Sequence, residues 1–175
     1  PNLARQQQIF QIWIRPVVPE NAHMSLRIAV HELDTLIRNG LTKEDFETTR
    51  GYLTNNVYVM TARQDQQLGY ALDSQWYGIG EFTSYMRGKL QTLSVDDVNA
   101  AIRRHLNARN FSTVIITKDA AALKQALAAD QFSAIKYDGE RPKAILDQDR
   151  AIGALKLNID PAKIRITPIG DVFSK

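Results

Sequence analysis

Three histidines, His23, His31 and His105, are the side chains best suited to metal or acid–base chemistry in this 175-residue chain, and no cysteine is present to assist them. His31-Glu32 opens like a zinc-binding H-E-x-x-H helix, but the second histidine position is Thr35. The reversed order, H-x-x-E-H, is missing around all three. His23 and His31 fall on the polar face of one expected helix, about 12 Å apart along its axis at 1.5 Å per residue. That is too far to share an ion, so the spacing predicts solvated surface histidines. The lack of cysteine excludes a disulfide framework, a thiolate zinc site, an iron–sulfur cluster and a thiol nucleophile. No G-x-S-x-G elbow presents a serine. Gly78-Ile79-Gly80 is too short to cradle a phosphate and reads as punctuation between helices. Asp96-Asp97 suits the first turn of a helix, and Asp147 and Asp149 are too sparse to chelate. Trp13, Tyr70, Trp76 and Tyr77 suit core or interface packing. The expectation is no catalytic residue and no metal ligand in this chain, with the substrate-binding residues unknown.

Composition narrows the classes further. Hydrophobic residues make up 44% and charged residues 23% of the chain. A chain of this length can bury roughly 70% of the surface its unfolded form exposes, so a real core is expected. The net charge is +3, from 22 basic and 19 acidic residues, too little for a nucleic-acid partner. The longest basic cluster, Arg103-Arg104-His105, closes an expected helix and compensates its dipole. No run of 18 apolar residues occurs, so no membrane span is expected. The chain opens on Pro1 without a charged segment leading an apolar one, which reads as a fragment or a processed product. The destination of the protein stays open on these grounds.

The elements that must position any site are mostly helices. Residues 8–18 are β-branched and aromatic with partial alternation and read as a strand ended by Pro16. Pro19 and Glu20 open a helix with Ala22, Leu26, Ala29, Val30, Leu33 and Ile37 on one face. His23, Arg27, His31, Asp34 and Arg38 line the opposite face, and Asn39-Gly40 stops the helix. Thr42 caps a second helix with the stripe Phe46, Leu53, Val57 and Met60. The polar stretch 61–67 interrupts it before Leu68, Ala71, Leu72 and Trp76 resume the stripe. A third helix runs from Glu81 to about Leu93, and Ser94 caps a fourth. Residues 111–117 read as a second strand, and Asp119 caps a helix over Ala120 to Ala129. Residues 131–175 hold three of the six prolines and read as an extended arm, with a possible third strand at Lys163 to Thr167. Residues alone thus indicate an α-rich α/β domain without a self-contained active site.

The order of these segments resembles the insulinase/pitrilysin family of zinc metallopeptidases, which includes the mitochondrial processing peptidases. The resemblance rests on RPVVPENAHMSLRIAVHELDTLIRNGLTKEDFETTRGYL after a strand, then LGYALDSQWYGIGEF, then LQTLSVDDVNAAIRRHLNARNFSTVIITKD. It spans residues 8–119. The ending LDQDRAIGALKLNIDPAKIRITPIGDVF is similar to that of some bacterial members. The resemblance implies an α+β fold, helices packed on one face of a mainly antiparallel sheet, as an incomplete, helix-rich half-domain. It implies that 1–130 is the C-terminal part of a peptidase domain and 131–175 an arm packed on it. In the family, one half carries zinc through H-x-x-E-H, and a second, zinc-free half walls the peptide chamber. This chain resembles part of the second kind, or the trailing domain of a full chain, so zinc is expected in a catalytic half and not here. That half, in the same protein or a partner subunit, and a peptide substrate are the implied partners. Arg63 and Tyr70 imitate the spacing of a substrate-binding pair in some members, but they follow two helices where the family pair precedes the first strand. They read as coincidence.

Three functions compete. One is the zinc-free trailing portion of a peptidase, inactive alone and, by analogy, periplasmic or extracellular. Another is a non-enzymatic interaction or assembly module of the same fold. The last is an unrelated helical binding domain, in which Ile12 and Val114 would share no sheet. Incomplete sheet pairing also predicts self-association of the isolated chain.

Overall fold

The computed structural model describes residues 9–173. Gln8, the first residue of the expected opening strand, and the outer ends of the expected domain and arm lie outside the described residues. Seven α-helices form there: α1 (Ala22–Asn39), α2 (Lys43–Met60), α3 (Gln64–Tyr77), α4 (Phe82–Thr92), α5 (Val95–His105), α6 (Ala120–Ala129) and α7 (Lys143–Gly153). Short 3-10 turns occupy Pro19–Asn21, Pro161–Lys163 and Ile169–Asp171. No helix among the described residues is long and apolar enough to cross a membrane.

The expected α+β fold is overturned. Among the described residues there is no strand and no sheet, and Ile12 and Val114 share none. Residues 9–18 and 111–117 have strand composition but lie outside any ladder, and Lys163 ends a 3-10 turn instead of opening a third strand. The physical reason is the location of the hydrogen-bond partners. A helix satisfies its amides and carbonyls within one segment. A strand needs a neighbour for every such group, so β-branched composition cannot create a sheet alone. Within 131–175, α7 supplies a helix where an extended arm was expected.

Helix boundaries follow local chemistry closely. Thr42 Oγ1 accepts the Asp45 N–H at 3.1 Å and starts α2. Ser94 Oγ accepts the Asp97 N–H at 3.2 Å, while Asp97 Oδ2 accepts the Ser94 N–H at 3.0 Å, a reciprocal cap for α5. Asp119 Oδ1 accepts the Ala122 N–H at 2.9 Å and starts α6. The break after Met60 is confined to 61–63, while 64–67, the rest of the polar stretch, form the first turn of α3, which Gln67 Nε2 ties back by donating to Thr61 O at 2.9 Å. Gly78 ends α3 in the left-handed region at φ +64°, where a Cβ is costly.

The chain forms two compact units. The first holds residues 9–11 and 35–106. In it α2 and α3 both pack on α4, with Phe46, Val57, Leu90 and Ile102 buried. Asn99 clamps the turn between α1 and α2 from α5. Its Oδ1 accepts the Leu41 N–H at 2.8 Å, and its Nδ2 donates to Leu41 O at 3.1 Å. Gly40 beside it has φ +71°, and a Cβ there would stand 2.6 Å from Asn99 Oδ1. Truncating Asn99→Ala deletes both bonds and strands two backbone groups. The expected cost is about 1–3 kcal/mol in urea unfolding, and an unchanged midpoint would contradict the clamp.

The second unit holds 12–34 and 107–173. Met24, Leu26 and Leu33 of α1, Leu127 of α6 and Ile152 of α7 are buried there. Helix α6 packs on the Pro161–Lys163 turn, and Lys124 Nζ donates to Ile164 O at 2.7 Å.

Candidate functional site

Two places in the molecule gather polar and aromatic side chains. The larger is a groove of about 730 Å³ in the first unit, between α3 and α4. Gln67, Tyr70, Ser74 and Gln75 line it from α3, and Phe82 and Thr83 from α4. The Tyr70 and Phe82 rings stack with centroids 4.1 Å apart and 16° between planes. Burial, then the Asp73 charge, pushes the Tyr70 phenol above its ordinary value, so it stays protonated and able to donate. Ser74 Oγ is buried without a hydrogen-bond partner among the described residues. Glu81 closes the N-terminus of α4, accepting the Thr83 N–H at 2.8 Å and the Ser84 N–H at 2.6 Å. Hydrogen bonds from Ser84, then Thr83, hold its carboxyl down to about 2. The helix end is therefore already neutralised by its own carboxylate, and the groove offers apolar and aromatic contact instead of an anion site.

The other gathering is a buried polar cluster in the second unit. Arg27 is 0% exposed. Its Nη1 donates to Ser133 Oγ at 2.6 Å and to Gly153 O at 2.8 Å, and its Nη2 to Asp130 Oδ1 at 2.7 Å. The other Asp130 oxygen accepts the backbone N–H groups of Leu157 and Asn158 at 2.9 and 3.1 Å. Asp130 caps α6 in the left-handed region, at φ +47°. His23 Nε2 lies 3.4 Å from Asp130 Oδ1 and makes no hydrogen bond among the described residues. Every acceptor here is taken by structure, so the cluster acts as a lock that fastens α1 to the ends of α6 and α7.

The expected surface histidine at position 23 is thus corrected: His23 is buried, as is Arg27 one turn on. The face counted as solvated is instead docked on Asp130. His31 is half-buried in the middle of α1, and His105 is exposed at the end of α5. Asp97 serves its cap, Asp147 pairs with Lys143, and Asp149 Oδ2 accepts the Tyr137 hydroxyl at 2.7 Å. Arg63 pairs with Asp65 at 3.0 Å while Tyr70 stacks on Phe82, so the imitated pair engages different neighbours. Of the core or interface packing expected for the aromatics, the core is excluded for Trp13 and Trp76, which are exposed.

Among the described residues no three His, Cys, Asp or Glu side chains come together to hold an ion. The approach of His23 to Asp130 already contains the Arg27 cation. Sequence reasoning missed Asp130 entirely. The available signal was its place just after an alanine-rich helix, where Asp tolerates the left-handed cap better than most residues.

No protein-family model, no curated protein and no solved structure matches this chain.

Proposed function

We propose that this chain works by packing and not by catalysis, as the zinc-free trailing part of an insulinase-type metallopeptidase. The observation that carries the reading is an apolar row on α3. Leu68, Leu72 and Trp76 recur four residues apart, on one face of the helix, and are 63%, 57% and 71% exposed. Apolar surface gathered on one face favours a covering partner, because its burial releases ordered water. The resemblance supplies the chemistry of that partner: a half bearing H-x-x-E-H, in the same protein or a separate subunit, in a periplasmic or extracellular setting. The neighbouring groove, with its Tyr70–Phe82 stack, gives a peptide an apolar and aromatic wall. The zinc chemistry belongs to the other half.

A specific observation favours a second reading, a helical binding domain unrelated to peptidases. Ile12 and Val114 share no sheet, and the helices of the first unit pack on one another. One experiment separates the two. The purified chain is mixed with an H-x-x-E-H half found in the same reading frame or its gene neighbour, and fluorogenic peptide hydrolysis is followed. The chain alone is expected to cleave nothing, with or without zinc. Together the rate should rise by about tenfold or more over the half alone, through added substrate binding, and Trp76→Glu should abolish the gain. Chelator-sensitive cleavage by the chain alone would refute the proposal. No gain on mixing would leave the helical binding domain.

A further inference from the structure

We propose that the segment 111–117 is a self-pairing strand, through which two copies of this chain associate antiparallel about Val114. Three observations meet there. Phe-Ser-Thr-Val-Ile-Ile-Thr is uncharged, proline-free and β-branched, the composition that most favours intermolecular pairing when exposed. It lies outside every helix, and the backbone amides and carbonyls of 111–116 make no hydrogen bond among the described residues. Its side chains are held in water: Val114 is 90% and Ile116 91% exposed. Unpaired backbone beside exposed apolar side chains is a template for another strand.

Charge selects the occupant and the direction. Arg109 and Asp119 flank the segment at equal distances from Val114. In an antiparallel pair centred on Val114, straightening of the bends at 108–110 and 118 brings Arg109 of each copy toward the Asp119 oxygen of the other that does not cap α6, twice by symmetry. Arg109 forms no ion pair among the described residues, so it is available for this one. A parallel pair would set Arg109 against Arg109 and Lys118 against Lys118, and like charges directly opposed destabilise a sheet. The same antiparallel register sets Val114 on Val114, Ser112 on Ile116 and Phe111 on Thr117. One face of the ribbon then carries the two most exposed large apolar side chains of the segment, each against a cross-strand neighbour.

The absence of native cysteine makes the register directly readable. Val114→Cys places two thiols opposite each other, within the Cα separation a disulfide tolerates. It should give a cross-linked species of twice the 19.8 kDa chain mass under mild oxidation. Ile116→Cys offsets the two thiols by four residues, roughly 13 Å, and should not link to itself. Mixed with Ser112→Cys it should link efficiently. In sedimentation equilibrium the unmodified chain should self-associate. Val114→Lys should weaken this by about tenfold or more through opposed like charges, with the helical circular dichroism unchanged because the side chain is in water. Arg109→Asp should weaken it too, because it sets a carboxylate opposite Asp119 of the other copy. A chain that stays monomeric when concentrated overturns the proposal. So does association indifferent to Val114→Lys, or an Ile116→Cys self-link stronger than that of Val114→Cys. Pairing of the segment with some other extended peptide would appear as the first of these.

Discussion

Replacing Arg27→Met is expected to destabilise the second unit by about 3–5 kcal/mol, the usual cost of breaking a buried ion pair from one side. The guanidinium is fully buried and fills three acceptors: a carboxylate, a hydroxyl and a backbone carbonyl. Methionine nearly matches its length but donates nothing. Asp130 would keep its two backbone donors and the Lys156 ammonium on its backbone carbonyl, but its carboxylate would lose the Arg27 cation. Gly153 O would keep only the Ser133 N–H at 3.1 Å. Arg27→Lys retains the charge without the planar fork, so it should recover only part of the loss. Urea unfolding with both variants reads this directly. A loss for Arg27→Met below about 1 kcal/mol, the level of an exposed pair, would show that the lock is not structural.

Acid should act on the same place. Burial raises the Asp130 carboxyl, but the Asn158 N–H, the Arg27 hydrogen bond and charge, and the Leu157 N–H together hold it below its ordinary 3.8. Its folded value is depressed, so its contribution is complete above 3.8 and disappears as pH falls through the folded value. His23 is lowered from 6.5 by burial and then by the Arg27 charge, against the pull of Asp130. The folded imidazole binds its proton more weakly than the unfolded one, so stability also declines as pH drops below 6.5. Both effects weaken the fold on acidification. His23→Gln should flatten the upper limb of the profile and leave the Asp130 limb in place.

Gly153→Ala is expected to cost about 1–3 kcal/mol, at the upper end of that range for overpacking. The reason is close approach and not backbone strain. A Cβ at Gly153 would lie 2.2 Å from Ser133 O and 2.9 Å from Phe132 Cε2. The first neighbour is backbone and cannot rotate away. The displacement would also disturb the carbonyl that Arg27 and Ser133 share. Gly51→Ala is the matched control. Gly51 lies inside α2 with open space where its Cβ would be, so alanine there should stabilise by about 0.5–1 kcal/mol. Thermal melts of the two variants should move in opposite directions. A shift of the same sign would mean that helix propensity outweighs the contact at Gly153.

Much of the helical layout was legible from residue types. Thr42, Ser94 and Asp119 were each expected to start a helix, and each side chain accepts the N–H three residues on. The stops at Asn39-Gly40 and Tyr77-Gly78 were expected too, and the break after Met60 falls where the apolar stripe is interrupted. Caps and periodicity are local, so a single segment carries the whole signal. The strands were misread for the opposite reason. Residues 9–18 and 111–117 have the right composition, but a strand is defined by what lies beside it, and composition does not name a neighbour.

The polar cluster shows the same division. His23 and Arg27 sit together on the polar face of α1, which the spacing of residues made plain. That this face meets Asp130, Ser133 and Gly153, more than a hundred residues away in the chain, is a matter of tertiary packing alone. Likewise Leu68, Leu72 and Trp76 form a stripe in any helical reading, but only the fold leaves that stripe in water. The amino-acid order dictates which faces are apolar or charged, because side-chain periodicity is a property of one helix. Which faces become covered depends on contacts between distant segments, whose free energy no local pattern contains.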